Sequence, residues 1–317
     1  MHSIDARDPS LDPSADSLGE FSQRLRKTGF VRRLIELARD EDLGRPAHDW
    51  TGELMFEPDA TRSVVLRARE GGVVSGLAFL PDLIEAFAEP GEIGWECHLT
   101  DGDRVEAGSV IVTLRGNARA IVRLERTMLN LISRMCGIAT LTRRYVDLIE
   151  GTNASICDTR KTTPGLRVFE KYAVRCGGGV THRMGLHDAV LIKDNHIAGM
   201  NPSMIATELA QLAYKLDSQG VRLWFVQIEV DSLNQLEVVL QADHDALGLV
   251  LLDNMTPAQL RQAVEMRNRC GSSLLLEASG GVNERTVRAI AQSGVERISI
   301  GSLTHQAQSI DLGLDSD

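Results

Sequence analysis

The chain has 317 residues, 43% hydrophobic and 25% charged, an ordinary globular make-up with room for two domains. Acidic residues outnumber basic ones by 44 to 34, a net charge of −10, which argues against the basic face of a nucleic-acid-binding protein. No apolar run reaches the ~18 residues that a membrane span needs, so no membrane partner is expected.

Residues 1–20 are rich in Asp, Ser and Pro and lack an apolar h-region. They read as a disordered lead-in and not as a secretory signal. Residues 21–137 show a mixed pattern. A helix is expected over 30–40, where Val31, Leu34, Ile35 and Ala38 share one face. Strands are expected over 62–69 and 110–114, with a glycine-punctuated turn segment over 101–108 between them. The N-terminal domain is thus read as α+β, a small sheet with helices against it.

From 138 to 303 the rhythm becomes regular. Short β-rich runs fall at 155–157, 189–192, 223–228, 247–252, 273–276 and 297–300, with helical patterns at 202–216 and 257–268. Such alternation implies a parallel sheet with right-handed crossovers, and a run such as Leu249, Val250, Leu251 and Leu252 suggests burial on both faces. The fold class expected is α/β, with an α/β barrel in this half. Residues 304–317 are left as a C-terminal tail. The cysteines, Cys97, Cys136, Cys157, Cys176 and Cys270, include no C-x-x-C pair. They suit free thiols in a reducing cytoplasm, and argue against a disulfide framework or a zinc site.

Each β-rich run stops on polar residues or glycine: Asp158 to Lys161, Lys193 to His196, Glu229 to Asp231, Asp253 and Asn254, Glu277 to Gly281, and Ile300 with Gly301. In a barrel these C-terminal ends meet on one face, where the active site is built. Any buried strand must turn polar on reaching solvent, but that alone does not explain two Lys, an Arg, a Glu and an Asp directed to one mouth. The segment 158–196 also gathers Arg160, Lys161, Arg167, Lys171, Arg175, Arg183 and Lys193 around Gly177, Gly178 and Gly179. Guanidinium forks and lysine point charges beside exposed backbone amides suit a small, multiply anionic substrate. For Arg167 and Lys171 taken alone, a surface salt-bridge role is the better reading.

Glu229 and Asp253 follow apolar runs on neighbouring strands. As hard oxygen ligands they suit Mg²⁺ held through water, or ribose hydroxyls, or internal pairing with Lys161 or Lys193. The last two strand ends, Ser279-Gly280-Gly281 and Ile300-Gly301-Ser302, form adjacent glycine-bearing loops of the kind that binds phosphate in barrel enzymes. Asn283 is the expected N-cap of a helix that starts close by.

Longer motifs carry a family likeness. Glu125-Arg-Thr-Met-Leu-Asn130, Ser133-Arg-Met-Cys-Gly-Ile-Ala-Thr140 and Asp158-Thr-Arg-Lys-Thr-Thr-Pro-Gly-Leu-Arg167 resemble the signature of quinolinate phosphoribosyltransferases. So do Lys171-Tyr-Ala-Val174, Gly177 to Gly179, His182-Arg183, Leu191-Ile-Lys-Asp-Asn-His196, Glu229-Val-Asp231 and Leu252-Asp-Asn254. The resemblance runs from about residue 30 to 313.

That resemblance implies an α/β sandwich followed by an irregular α/β barrel, in a homodimer whose sites are capped by the partner's N-terminal domain. It implies that Arg126 reaches from the partner toward the quinolinate carboxylates, and that Arg160, His182 and Arg183 line the quinolinate pocket, with Thr159 beside them. Lys161 and Lys193 would neutralise substrate and pyrophosphate charge, and Glu229 and Asp253 would serve the ribose hydroxyls and Mg²⁺. Ser279, Gly280, Gly281, Ile300, Gly301 and Ser302 would form the 5-phosphate loops. Catalysis is thus expected of Lys161, Lys193, Glu229 and Asp253, with Mg²⁺ as the only cofactor.

The implied reaction joins quinolinate to phosphoribosyl pyrophosphate, releasing pyrophosphate and carbon dioxide. Two departures from the family pattern stand out. Thr181 occupies the position before His182 where asparagine is expected, and Leu131 and Ile132 replace a more aromatic pattern. A nicotinate phosphoribosyltransferase would not need the Arg126, Arg160 and Arg183 triplet. A non-catalytic phosphosugar-binding protein would be expected to lack Lys161, Lys193, Glu229 or Asp253.

Overall fold

A computed structural model of the chain describes residues 12–197, 199–242 and 246–317. The first part of the expected lead-in, residues 1–11, lies outside the described residues. In chain order the elements begin with α1 (Leu18–Lys27), α2 (Phe30–Leu43), α3 (Trp50–Met55), β1 (Thr61–Ala68), β2 (Gly72–Val73), α4 (Leu80–Phe87), β3 (Ile93–Cys97), β4 (Arg104–Val105) and β5 (Val110–Asn117). Next come α5 (Ala118–Leu148), β6 (Ser155–Cys157), α6 (Arg167–Cys176), β7 (Val190–Ile192), α7 (Asp194–Ile197), α8 (Pro202–Ser218), β8 (Val226–Val230) and α9 (Leu233–Gln241). The last are β9 (Leu249–Asp253), α10 (Pro257–Arg269), β10 (Leu275–Ser279), α11 (Val287–Ala291), β11 (Arg297–Ser299), α12 (Ser302–His305) and β12 (Leu312–Ser316).

The chain divides into two compact units. One comprises Asp16–Arg143, Lys161–Gly179 and Ser302–Asp317. Its main sheet is antiparallel in the order β12-β1-β5-β3. Val64 and Leu66 of β1 are buried and pair in register with Leu114 and Val112 of β5. Each such apolar side chain removed from water contributes roughly 1.5–3 kcal/mol. Residues 304–317 are not a detached tail: β12 pairs along β1, Leu314 opposite Leu66. The lead-in also ends earlier than expected, because Ser17 and Glu20 form a reciprocal capping box that starts α1 at Leu18. Helix α5 runs unbroken through the expected domain boundary at 137. Gly137 needs its missing side chain there, since a Cβ would lie 1.9 Å from the Gln308 carbonyl oxygen.

The other unit comprises, among the described residues, 12–15 with those of Arg144–Arg160 and Val180–Gly301. Its six parallel strands run in the order β6-β11-β10-β9-β8-β7, with helical crossovers, as an irregular α/β barrel. The curl is visible in one side chain. His182 follows Val180, which bridges to Cys157 at the β6 edge, yet its ring reaches Gln227 on β8 and Glu277 on β10. Only a sheet wrapped on itself brings those elements together. Strands β8, β9 and β10 begin two or three residues later than their apolar runs predict, because Leu223 and Leu247 are buried in the approaches to β8 and β9.

Candidate active site

The strand ends are level with one another. Asp253 ending β9 pairs in register with Ser279 ending β10, and Leu252 pairs with Val230 ending β8. Side chains two apart on a strand share a face. Gln227 and Glu229 therefore form one column, Glu277 and Ser279 a second, and Leu251 and Asp253 a third. Burial separates them: Glu229, Asp253 and Ser279 are half-buried at the C-terminal rim, and Gln227 and Glu277 are fully buried beneath it, although Glu229 and Glu277 both pair in register with Leu251.

That deeper layer is a closed polar network. Glu277 is fully buried. Its Oε2 accepts from Arg297 Nε at 2.9 Å, its Oε1 accepts from the Ser299 hydroxyl, and His182 Nε2 stands 3.4 Å from that same Oε1. Burial disfavours the carboxylate, but the Arg297 guanidinium and the hydrogen bonds from the His182 ring N–H and the Ser299 hydroxyl outweigh it. The Glu277 pKa is held well below the usual carboxylate range. Arg297 also donates to Cys157 Sγ at 2.8 Å and to the Thr181 carbonyl at 3.2 Å.

His182, expected to line a substrate pocket, is buried to 5% exposure and held at both nitrogens. Its Nε2 lies 2.9 Å from Gln227 Oε1, and the Arg183 amide donates to its Nδ1 at 2.8 Å. The His182 amide donates to Asp158 Oδ1 at 2.8 Å, and the Phe225 ring meets the imidazole edge-on at 5.1 Å. Thr181 contributes through its backbone, while its buried hydroxyl has no hydrogen-bond partner among the described residues. Local support for His182 therefore comes from Asp158, Gln227 and Glu277.

Arg183 is also buried, its Nη1 donating to the Ala189 carbonyl at 3.2 Å. Its pKa is lowered, first by burial and then by the charge of Arg160, with Asp188 opposing both. Arg160 and Thr159 follow β6 and are half-buried. Two guanidinium groups close enough to repel, in largely dry surroundings, are stabilised by an anion between or beside them.

Glu229 and Asp253 share a cleft of about 370 Å³ that Asn195, Asp231 and Gln235 also line. Lys193, at the end of β7, donates to Glu229 Oε2 at 2.7 Å, so the internal pairing considered for this residue is present. Asn254 Nδ2 donates to Asp253 Oδ2 at 2.7 Å. Among the described residues no three His, Cys, Asp or Glu side chains form a metal cluster. The donor set suits a hard divalent cation that keeps much of its water, not a protein-only cage.

The glycine loop after β10 has two distinct positions. Gly280 has φ +92°, and a Cβ there would meet Asn254 Oδ1 at 2.1 Å and the Asn254 amide nitrogen at 2.9 Å. Its glycine is required by the fold. Gly281, at φ +63°, faces open space and is free to approach a ligand. Asn283 makes the hydrogen bonds of an N-cap: its Oδ1 accepts from the Arg285 amide at 3.0 Å and its carbonyl accepts from the Val287 amide at 2.9 Å, with the regular helix α11 following from Val287. Ile300 is buried, its amide bonded to the Cys157 carbonyl at 2.9 Å, and Gly301 follows it half-buried.

Three expected site residues belong to the other unit. Arg126 is exposed on α5, and Ser302 opens α12. Lys161 is exposed on a tightly pinned loop. Thr304 Oγ1 donates to its carbonyl at 2.7 Å, and Glu170 accepts from both the amide and the hydroxyl of Thr163 at 2.9 Å. Lys171 is fully buried, which corrects its reading as a surface ion-pair residue, and Arg167 Nε donates to Thr162 Oγ1 at 2.9 Å.

The sequence reading assigned no role to Gln227 or Arg297. Their signal was the strand period: counting back two from Glu229 gives Gln227, and Arg297 sits opposite Glu277 in register.

Comparison with known proteins agrees with this geometry. Residues 138–315 match the model of the quinolinate phosphoribosyl transferase C-terminal domain, and residues 49–136 that of the N-terminal domain. A nicotinate-nucleotide pyrophosphorylase [carboxylating] of Mycobacterium leprae is 41% identical over 289 residues, covering 90% of this chain and 96% of that protein. The solved nicotinate-nucleotide pyrophosphorylase of Francisella tularensis superposes with a TM-score of 0.79 at 35% identity, covering 91% of this chain and 96% of that one. That of Ehrlichia chaffeensis gives 0.77 at 36% identity, covering 90% and 98%. With both domain models matched in order along a chain whose strand ends carry the motif residues, the protein belongs to the quinolinate phosphoribosyltransferase family.

Proposed function

We propose that this chain converts quinolinate and phosphoribosyl pyrophosphate to nicotinate mononucleotide, pyrophosphate and carbon dioxide, a step of NAD biosynthesis. The observation that carries the reading is the placement of buried Arg183 beside Arg160 at the end of β6, close enough for the two guanidiniums to repel. A dicarboxylate relieves that repulsion, one carboxylate for each fork. A monocarboxylate offers its charge to only one of the two forks.

The rim residues then divide the chemistry. Loss of pyrophosphate gives the ribose C1 oxocarbenium character, which Glu229 and Asp253 stabilise from the cleft they share. Lys193 and Lys161 offset the charge of substrate and leaving group. The pyridine nitrogen attacks C1 and becomes a pyridinium, whose positive charge stabilises the carbanion left at the adjacent ring carbon when the 2-carboxylate departs as carbon dioxide; a proton from water then completes the nicotinate ring. The charge that stabilises the carbanion is the substrate's own, so no organic cofactor is needed. Glu229 and Asp253 would hold Mg²⁺ through water, where it would neutralise pyrophosphate charge. Ser279, Gly281 and Gly301 would receive the 5-phosphate.

The same reading makes the protein a homodimer in which the partner subunit's Arg126 completes the quinolinate pocket. The exposure of Arg126 on α5 supports it, and a fully active monomer in sedimentation would contradict it. The five free thiols suit the reducing cytoplasm as its location; tagging the protein and finding it in an oxidising compartment would contradict that. Titration calorimetry with quinolinate tests the central assignment. The parent should bind it, and nicotinate should bind far more weakly; equal affinities would contradict the reading.

A further inference from the structure

We propose that Gln227 is a positioning residue: it holds His182 as the neutral, Nε2-protonated ring and, through that ring, fixes Arg183 in the quinolinate pocket. The proposal rests on the function assigned above and names a residue that function does not require.

Nδ1 of His182 sets the tautomer. The Arg183 amide donates to this nitrogen at 2.8 Å, so it must carry a lone pair and the ring proton must sit on Nε2. That proton faces Gln227 Oε1 at 2.9 Å, with Glu277 Oε1 further off at 3.4 Å. The tautomer in turn fixes the amide of Gln227: its oxygen faces the ring, and its nitrogen points elsewhere. Gln227 is fully buried, and among the described residues that Nε2 has no hydrogen-bond partner.

A buried donor left unmade is destabilising, and an apolar side chain of similar size would remove the penalty. Stability therefore does not account for glutamine at this position. Orientation of His182 does. The ring is gripped by Gln227 from β8 at Nε2 and by the Arg183 amide at Nδ1, and Phe225 packs against it edge-on.

The charged groups around the ring enclose this arrangement on several sides. Glu277 faces it from β10, itself bound to Arg297 of β11, and Asp158 accepts from its amide. Arg183 adjoins it in the chain, with Arg160 and Asp188 acting on the Arg183 guanidinium. A neutral amide at 227 lets the ring donate a hydrogen bond without adding another charge to this group. Because the Arg183 amide rests on His182, loss of the Gln227 contact loosens the segment that aims one of the two paired guanidiniums.

The test uses the full-length protein labelled with ¹⁵N-histidine, the His182 resonances being assigned with His182→Asn. Two-bond ¹H–¹⁵N correlation reads the tautomer without substrate. The parent should show His182 as the Nε2–H ring at neutral pH. Gln227→Leu and Gln227→Met should stay folded, with Tm at or above the parent, and show a mixed or shifted tautomer. Their quinolinate affinity should fall about tenfold, or about 1.4 kcal/mol, while affinity for phosphoribosyl pyrophosphate is kept. An imidazolium or an Nδ1–H ring in the parent would overturn the proposal. So would folded variants that bind quinolinate like the parent, or a clear loss of Tm in both, which would mark Gln227 as structural. If the parent binds no quinolinate, the assigned function fails, and the tautomer comparison still decides whether Gln227 positions His182.

Discussion

Arg183 lies close enough to Arg160 for the second guanidinium to lower the pKa of the first, although Asp188 acts in the opposite sense. Such repulsion in the free protein is relieved when a dianion binds. Arg160→Ala and Arg183→Ala should each weaken quinolinate binding by roughly 10- to 100-fold, the worth of hydrogen bonds to a charged group. Neither change should lower the Tm of the free protein by much, because each removes a repulsion. Calorimetry and thermal melting check both halves. A large Tm loss with quinolinate binding intact would mean that the two arginines serve the fold.

Lys193 and Glu229 are paired at 2.7 Å, yet both are assigned work on substrate. Lys193→Ala should lower kcat and kcat/KM together if its charge matters most as pyrophosphate leaves. Glu229→Ala should do the same through the ribose. The double variant should lose less than the product of the two single losses, because the pair acts as one unit. Losses that multiply fully would show two independent roles.

Gly280 and Gly281 separate structure from binding within one loop. Gly280→Ala drives a Cβ into Asn254, next to Asp253, and should destabilise the protein as well as its activity. Gly281→Ala meets nothing within 4 Å, so its fold cost is limited to the αL backbone, about 1 kcal/mol. Its KM for phosphoribosyl pyrophosphate should rise while quinolinate binding to the free enzyme is kept. Unchanged KM in Gly281→Ala would move the phosphate site away from this loop.

The Glu277 carboxyl has a folded pKa well below its unfolded value of about 4.3. Its stabilising contribution is therefore complete above that unfolded value and is lost as pH falls through the folded one. Glu277→Gln leaves Arg297 buried without its carboxylate and should cost about 3–5 kcal/mol near neutral pH. Urea unfolding as a function of pH should show the gap between parent and variant constant above about pH 5, then narrowing on acidification. A gap that widened toward low pH would contradict the sign of the shift.

The sequence made the rim legible and left the floor hidden. Lys193, Glu229, Asp253 and Ser279 stand where apolar runs stop, and a strand that leaves the core must announce its end. Gln227, Glu277 and Arg297 sit inside β-rich runs, and their partners depend on how the sheet curls, which no local pattern records. Strand β12 escaped for a related reason: five residues that pair with β1 from far along the chain, Gly313 opposite Arg67, give no local sign of a sheet. Ser17 and Glu20 were a readable capping signature, hidden by the polar composition around them. Gly280 looked like a ligand-binding glycine, and only the position of Asn254 reveals why the backbone itself needs it.

The most direct measurement is turnover with carboxyl-labelled quinolinate, phosphoribosyl pyrophosphate and Mg²⁺, following carbon dioxide and pyrophosphate together, with nicotinate as the competing substrate. The account predicts one carbon dioxide per pyrophosphate from quinolinate, and a specificity for quinolinate over nicotinate of about 10⁴-fold, the scale of a site whose buried polar groups go unpaired with the analogue. Comparable turnover of nicotinate, or pyrophosphate released without carbon dioxide, would contradict it.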